Sequence, residues 1–468
     1  MCKLASTPTQ LGINGAFDEN LIMENQPATE ERMGLLPALL WPAAALGIST
    51  ALYRTAGEFD GPGVLWVTTG LVLTWIGLLF ASQRGVRAAA KWGWVACLVG
   101  VIIEWHYLDS TWPTYFIGPP STYYTVALPA LAVLALGAIL GNLLIRRISI
   151  SLLLAAYFGI GVWLLHHSGR PWVDTFDQTL AACDAVSHGK NPYAIDFPDV
   201  YSHHGSDATA FYPRDLIVNG RVKFGYGYMP LSLAVAYVGQ IMTGDFRRAY
   251  LLALVAAAGF LAFAHRDRQS FAAAAMLLFM PRNMFVIEYS WTEPVALLCL
   301  AAVVFCAYRA RRVLPYASGL LLVSKQHMPL IAPLLLLLMP RPWDAKTVGK
   351  FYGKAMLTGA VVTLPMILWN PAAFWHSVVE VQLKSPFRPD SLNLAGWWIH
   401  GGHSPPPIWM PFIFGISSVG VALWRSPRTP AGFAASVAGV YLCFFALAKQ
   451  AFCNYYFFIF GALCCAMG

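Results

Sequence analysis

The chain has 468 residues, of which 57% are hydrophobic and only 12% charged, and its mean hydropathy is +0.56. An ordinary soluble domain carries about 25% charged residues, so the composition excludes a soluble globular protein and reads as a polytopic membrane protein with one helical membrane domain. The net charge of +8 arises from 31 Lys and Arg against 23 Asp and Glu; these are scattered in short loops between apolar runs, which argues against a nucleic-acid partner and reads as a set of topology signals.

Residues 1–33 contain no apolar run of signal-peptide type and are expected to form a disordered cytosolic tail. Apolar runs of near-bilayer length then predict spans at 35–54, 63–82, 92–110, 124–145 and 149–167, so that 34–148 holds additional N-terminal transmembrane helices. A polar and aromatic segment follows at 168–228. Further apolar segments run at 229–243, 249–264, 270–287, 293–308, 313–323, 328–340, 354–369, 407–424, 430–447 and 453–467. The nine cysteines lie mostly inside apolar stretches, with no CxxC pair, and read as small packing residues.

Lys and Arg near helix ends are retained on the cytoplasmic side. Arg84, Arg87 and Lys91 follow the second span and Arg146 and Arg147 the fourth, which puts 168–228 outside and the N-terminus inside. The later basic clusters at 266–268, 309–312, 341–354 and 425–428 are all inside only if 229–243 does not cross. That segment is short for a span and carries Gln240, so it is expected to be interfacial or re-entrant. The expected fold is therefore an all-α polytopic membrane protein of about 14 transmembrane helices, with both termini inside and a large extracytoplasmic loop. EYSWTEP (288–294), SKQHMP (324–329), 369–407 and KQAFCNYY (449–456) then all fall on the same outer face as 168–228. Polar irregular backbone at membrane depth is tolerated only where protein buries it or where it lines a wet cavity, so this convergence suggests a site.

The ordered series VDTFDQTLAACDAVSHGKNPY, GYGYMPL with TGDFRRAYLLAL, IEYSWTEP, SKQHMPLIAPLLLLL, SPFRPDSLNLAG and KQAFCNYYF resembles the integral-membrane glycosyltransferases of the C type (GT-C). The likeness is greatest to their polyprenol-phosphate-mannose-dependent, family 87-like branch, and it covers about residues 150–460. It implies a GT-C-like bundle at 149–468, with short interfacial helices and the extracytoplasmic loop 168–228. It also implies an inverting transfer of a sugar, mannose or another pentose or hexose, from a polyprenyl-phosphate donor to an extracytoplasmic glycan or glycolipid acceptor. Five spans precede the aspartate loop here, whereas these enzymes usually show it after their first helix, so 34–148 carries no implied role.

In that family an aspartate near the start of the first outer loop acts as general base, and Asp174 is the matching position, with Asp177 its rival one helical turn on. A partly desolvated carboxylate at the membrane boundary is suited to proton abstraction; the plainer reading is that both acids cap a short helix. Two carboxylates are too few for a divalent oxygen site, and His203, His204 and Asp207 read as a solvated loop, so neither metal nor cofactor is expected. A leaving phosphate needs cations on the outer face. Lys325, flanked by apolar runs, is the first candidate, against a snorkelling role, and His327, Lys449, Arg214 and Arg388 follow. Glu288, Glu293 and Trp291 suit sugar hydroxyls and ring stacking as well as they suit an interfacial helix start. Asn191 and Tyr193 are further sugar or acceptor candidates, although Asn-Pro-Tyr more simply shapes a turn.

Two other classes fit the composition. A transporter or flippase for a lipid-linked or polar solute would show internal repeats and broken helices meeting at the midplane; no repeat is present, while the break around SKQHMP favours it. A non-catalytic subunit of an envelope-polysaccharide assembly would keep the fold and not need Asp174.

Overall fold

The structure is a computed structural model that describes residues 34–81, 87–107, 115–117 and 123–468. The expected tail at 1–33 and the basic residue Arg84 lie outside these. The described chain is mainly helical: α1 (Leu35–Thr55), α2 (Gly61–Leu79), α3 (Arg87–His106), α4 (Leu128–Leu140, entered through a π-turn at Tyr123–Ala127) and α5 (Leu143–His166) precede the polar segment. There α6 (Asp174–Ser187) is followed by three two-residue strands, β1 (Phe197–Pro198), β2 (Ile217–Val218) and β3 (Arg221–Val222), antiparallel in the order β1-β3-β2. The remainder is α7 (Pro230–Thr243), α8 (Arg247–His265), α9 (Arg268–Leu278), α10 (Asn283–Glu288), α11 (Glu293–Arg309), α12 (Leu314–Leu322), a 3-10 run at Met328–Leu338, α13 (Ala345–Trp369), α14 (Pro371–Trp375), α15 (Leu394–His400), α16 (Met410–Arg425), α17 (Pro430–Ala446) and α18 (Cys453–Met467).

Five of these, α1, α2, α5, α8 and α13, are long and apolar enough to cross a membrane, and shorter apolar helices accompany them. Their outward surfaces carry exposed Leu, Val, Ile and Trp, among them Leu144, Val361, Leu368 and Trp424, which only a lipid solvent accommodates. The bundle is that of an all-α membrane protein. Helix contacts use small residues: an added Cβ on Gly161 of α5 would sit 2.6 Å from Leu251 of α8, and one on Gly461 of α18 would sit 2.4 Å from Leu297 of α11. Polar groups add interhelical bonds, as where Ser49 of α1 donates to Glu104 of α3 at 2.7 Å.

Local chemistry moves several boundaries from where hydropathy puts them. The expected spans 124–145 and 149–167 divide instead at Gly141, because Asn142 caps α5 by accepting from the Ile145 N–H at 3.0 Å. Arg146 and Arg147 are therefore the fourth and fifth residues of a helix and do not lie in a loop. The expected span 270–287 breaks after Leu278, where Pro281 lacks the N–H that a continuous helix would need. The short sheet of the polar segment was not foreseen; it closes over its own small core of Phe197, Tyr212, Leu216, Val222 and Phe224.

Two ends of the bundle differ in chemistry. At one, Arg309 donates to the Ala264 carbonyl at 2.5 Å and Ser270 to the Gly468 carbonyl at 3.1 Å. At the other, the polar segments meet: Thr175 donates to the Tyr289 carbonyl at 2.6 Å, Gln326 to that of Gly227 at 2.6 Å, and the Arg388 N–H to the Lys449 carbonyl at 2.9 Å. The 14-residue α7 spans about 21 Å at 1.5 Å per residue, yet both of its flanks touch 168–193. Tyr193 Oη donates to the Tyr228 carbonyl at 3.1 Å, while the buried Arg247 contacts the Gly169 carbonyl at 3.4 Å and sits 5.3 Å from the Phe176 ring. α7 therefore runs antiparallel along α6, a helix of the same length within the polar segment that is expected on one side.

This arrangement is testable by labelling with a membrane-impermeant maleimide in a background without accessible native cysteines. Asp245→Cys and Ser202→Cys are expected to react from the same side of the membrane, and Asp267→Cys only from the other. Reaction of 245 and 267 from one side would refute it.

Candidate functional site

Helix α6 begins at the mouth of the polar end because Val173 is extended and Asp174 and Asp177 occupy the first turn, where carboxylates complement the helix dipole. The two acids then meet different surroundings. Asp177 is buried and bonded to Arg170, whose Nε donates to Oδ1 at 3.0 Å and whose Nη2 engages the same oxygen. Asp174 makes no ion pair within bonding distance among the described residues. It is half-buried, receives the Tyr201 hydroxyl at 3.2 Å and faces the buried hydroxyl of Tyr212. Desolvation pushes its carboxyl above the usual carboxylate range; the Tyr212 hydroxyl, the Thr175 backbone, the Tyr201 hydroxyl and the Arg388 guanidinium pull it the other way.

Arg388 is the cation nearest in effect to this carboxylate. Its guanidinium lies between aromatic rings, 4.3 Å from the Phe211 centroid and 4.7 Å from that of Phe452. Nε and Nη2 grip Asp390 at 2.9 and 2.5 Å, which leaves Nη1 without a bond among the described residues. Tyr201 stacks on Phe211 at 3.6 Å and 9°, extending the same aromatic wall toward Asp174.

Beneath the mouth lies a buried ion pair. Glu293 at the start of α11 is 2% exposed and Lys325, in the break between α12 and the 3-10 run, is 4% exposed; the ammonium bonds Glu293 Oε1. Asn454 of α18 donates to the same oxygen at 2.6 Å, while Oε2 has no partner among the described residues. The Lys325 ammonium lies 5.5 Å from both the Tyr228 and the Tyr455 ring centroids. Tyr228 joins floor and mouth: burial raises its hydroxyl, and the charges of both Asp174 and Glu293 act on it in the same sense.

The other anticipated residues are distributed around this centre. Lys325 does not present a free ammonium, because Glu293 holds it. His327 is pushed down to about 3 by burial and by the Lys325 charge, so at neutral pH it is an uncharged ring, 5.1 Å from that of Tyr441. The Lys449 ammonium donates to the Leu383 and Ser385 carbonyls at 2.6 and 2.9 Å and so ties down that turn. Arg214 is exposed on a 3-10 turn of the polar segment. Glu288, buried, accepts from Ser168 at 2.5 Å and from the Tyr115 N–H at 2.9 Å, bridging loops. Trp291 is half-buried beside Tyr289 at 5.2 Å. Asn191 closes a turn on the Tyr193 N–H at 2.8 Å, and buried Tyr193 accepts from Ser377 at 3.0 Å. His204 stacks on exposed Trp172 at 3.9 Å, and no group of metal-ligating side chains occurs among the described residues.

Sequence reasoning missed Arg170, Tyr201, Tyr212 and Asn454. Asn454 sits inside a motif that had drawn attention, whereas nothing in the spacing marks Arg170 as the partner of Asp177. The apolar groove lined by Trp75, Ile413, Phe414, Val421 and Cys443 includes none of the site residues. No family model matches this chain, and neither a curated protein nor a solved structure matches it.

Removing one partner of a buried ion pair strands the other charge, at about 3–5 kcal/mol. Lys325→Ala is therefore expected to lower the unfolding free energy by about that amount, read as thermal unfolding in detergent. Adding Glu293→Gln should recover most of the loss. A single variant as stable as the parent would show that the pair is dispensable.

Proposed function

We propose that the protein is a GT-C-like inverting glycosyltransferase that takes a sugar from a polyprenyl phosphate and adds it to a glycan or glycolipid acceptor on the extracytoplasmic side. The observation that carries this reading is the separation of the two acids of α6: one is held by Arg170, while Asp174 is half-buried, desolvated, without an ion pair at bonding distance among the described residues and within the field of Arg388. The order of motifs that resembles the family supports it further.

In this mechanism Asp174 accepts the proton of the acceptor hydroxyl as that oxygen attacks the anomeric carbon. The bond from the anomeric carbon to the phosphate oxygen breaks on the opposite side, and the lipid phosphate leaves with the electron pair. The configuration inverts. Arg388 is the cation for that phosphate, through Nη1, because Lys325 is committed to Glu293 and His327 is uncharged. The half-buried aromatic rings of Tyr201, Phe211 and Tyr228 suit stacking against a sugar ring, and the hydroxyls of Tyr201 and Tyr228 suit its polar edge.

A transporter reading draws on a different observation, the Lys325–Glu293 pair set between the broken ends of α12 and the 3-10 run, since buried ionisable pairs in membrane bundles often mark a solute path. Turnover decides between the two.

With purified protein, a polyprenyl-phosphate sugar and an envelope extract, Asp174→Asn is expected to reduce turnover by roughly 10²- to 10⁴-fold, the usual worth of a general base, with donor binding retained. The acid limb of the parent's pH–rate profile should lie above about 3.9, the ordinary aspartate value, because the carboxyl must be ionised to accept a proton and desolvation raises its midpoint. Asp177→Asn should act on stability through Arg170 and not on chemistry. Full activity in Asp174→Asn would end the enzyme reading of this carboxylate. Arg388→Ala is expected to weaken donor binding by about tenfold or more, the worth of about 1.4 kcal/mol, and unchanged affinity would remove it as the phosphate partner.

A further inference from the structure

The N-terminal helices, to which the family likeness gives no role, reach the polar end through the turn that joins α1 to α2. This turn, Ala56–Asp60, makes its contacts through backbone and through the Phe59 ring. Gly57 has φ +90°, and a Cβ there would stand 2.0 Å from the Cys453 nitrogen and 2.8 Å from the Phe452 carbonyl carbon, so only glycine lets the two chains approach. Glu58 pairs with Ser391 in an antiparallel bridge, and the Phe59 N–H donates to the Asp390 carbonyl at 2.7 Å. The Phe59 ring lies flat on His400, 3.8 Å away at 2°.

The residues so contacted are those that hold Arg388. Phe452 supplies one of the two rings over the guanidinium, and Asp390 supplies the carboxylate that grips it. From the other side the 388–392 run bonds 449–451, with Arg388 N–H to the Lys449 carbonyl at 2.9 Å and Leu392 N–H to the Ala451 carbonyl at 3.1 Å. The Arg388 segment is thus held between two backbones. The turn is itself fixed: Asp60 caps α2 by accepting from the Gly63 N–H at 2.9 Å, and Arg282 before α10 donates to the Leu52 and Tyr53 carbonyls at 3.1 and 2.9 Å. Helices that merely packed side by side would meet through side chains along their length; here the tip of a hairpin sets a glycine peptide against the chain beside the cation.

We infer that the α1–α2 turn is a positioning element of the anion site, with Gly57 and Phe59 as the residues that place the Arg388 guanidinium. This rests on the reading of Arg388 as the phosphate partner. Neither residue touches the ligand, so their effect must pass through Arg388 and vanish when Arg388 is gone.

The test is a double-mutant cycle on the full-length protein in detergent, reading the affinity for farnesyl phosphate with farnesol as the control that lacks the anion. Gly57→Ala is expected to weaken farnesyl phosphate binding about tenfold in the parent and less than about twofold in an Arg388→Ala background, since residues acting through one another are non-additive. Farnesol binding should change in neither. Phe59→Ala, which leaves the glycine contact intact, is expected to give a smaller loss, about threefold, with the same dependence on Arg388; it decides the matter if Gly57→Ala does not yield folded protein by size exclusion. Equal losses in both backgrounds, or an equal loss for farnesol, would mean general destabilisation and overturn the inference. A clear effect of Arg388→Ala with none from either turn variant would overturn the positioning role alone. No effect of Arg388→Ala would overturn both the anion reading and what rests on it.

Discussion

A buried charge in a helical membrane protein must be neutralised from within, and the Lys325–Glu293 pair is where this chain does so. Both groups are almost wholly removed from solvent, and the carboxylate is shared between an ammonium and the Asn454 amide. The pair joins the start of α11, the break after α12 and the start of α18. Each of these is a place where helical hydrogen bonding stops and the backbone needs outside partners. With the pair in place, Tyr228 and Tyr455 lie to either side of the ammonium, and the polar mouth is built above them. Desolvation makes such a pair weak as a source of net stability and strong as a constraint on geometry, because separating the partners is so unfavourable.

The mouth shows how one turn of helix sorts two identical side chains. Asp174 and Asp177 are three residues apart, so they leave α6 from neighbouring positions about 60° apart around its axis, and that small rotation is enough to separate their partners. One direction meets Arg170 and a buried contact; the other meets tyrosine hydroxyls and the aromatic wall that carries Arg388. A carboxylate that is desolvated but not ion-paired at bonding distance is held away from its relaxed state, and such groups are common where chemistry is done. The small sheet at β1 to β3 serves the same end. Its core places Tyr212 against Asp174 and rests Phe224 and Tyr212 on Phe197, giving the loop a rigid underside.

The α1–α2 hairpin bears on the region from an unexpected quarter. Its turn touches 390–391 and 452–453 while Arg282 holds the last carbonyls of α1, so a hairpin that precedes the polar segment by more than a hundred residues is built against the run that carries Arg388. The hairpin adds partners to a run already bonded to 449–451, with the Phe59 N–H on the Asp390 carbonyl and the Glu58–Ser391 bridge.

Hydropathy alone determined that this is a helical membrane protein, and it placed most helices to within a few residues, because transfer into a bilayer depends on local composition. The pattern of charges also grouped 168–228 with EYSWTEP, SKQHMP and KQAFCNYY, and those segments do meet at one end of the bundle. Shorter-range signals decided against hydropathy where they competed with it: Asn142 set the start of α5, and Pro281 broke the run after Leu278. The tertiary structure alone decided that Lys325 belongs to Glu293, that Arg170 takes Asp177 and leaves Asp174, and that Gly57 abuts Cys453. These partners depend on which helix faces which. Inside a membrane lipid tails are as apolar as leucine, so hydrophobic patterning sends a helix into the bilayer without choosing its neighbour. That choice rests on close approach at small residues and on a few polar contacts between distant parts of the chain, and it exists only once the bundle has packed.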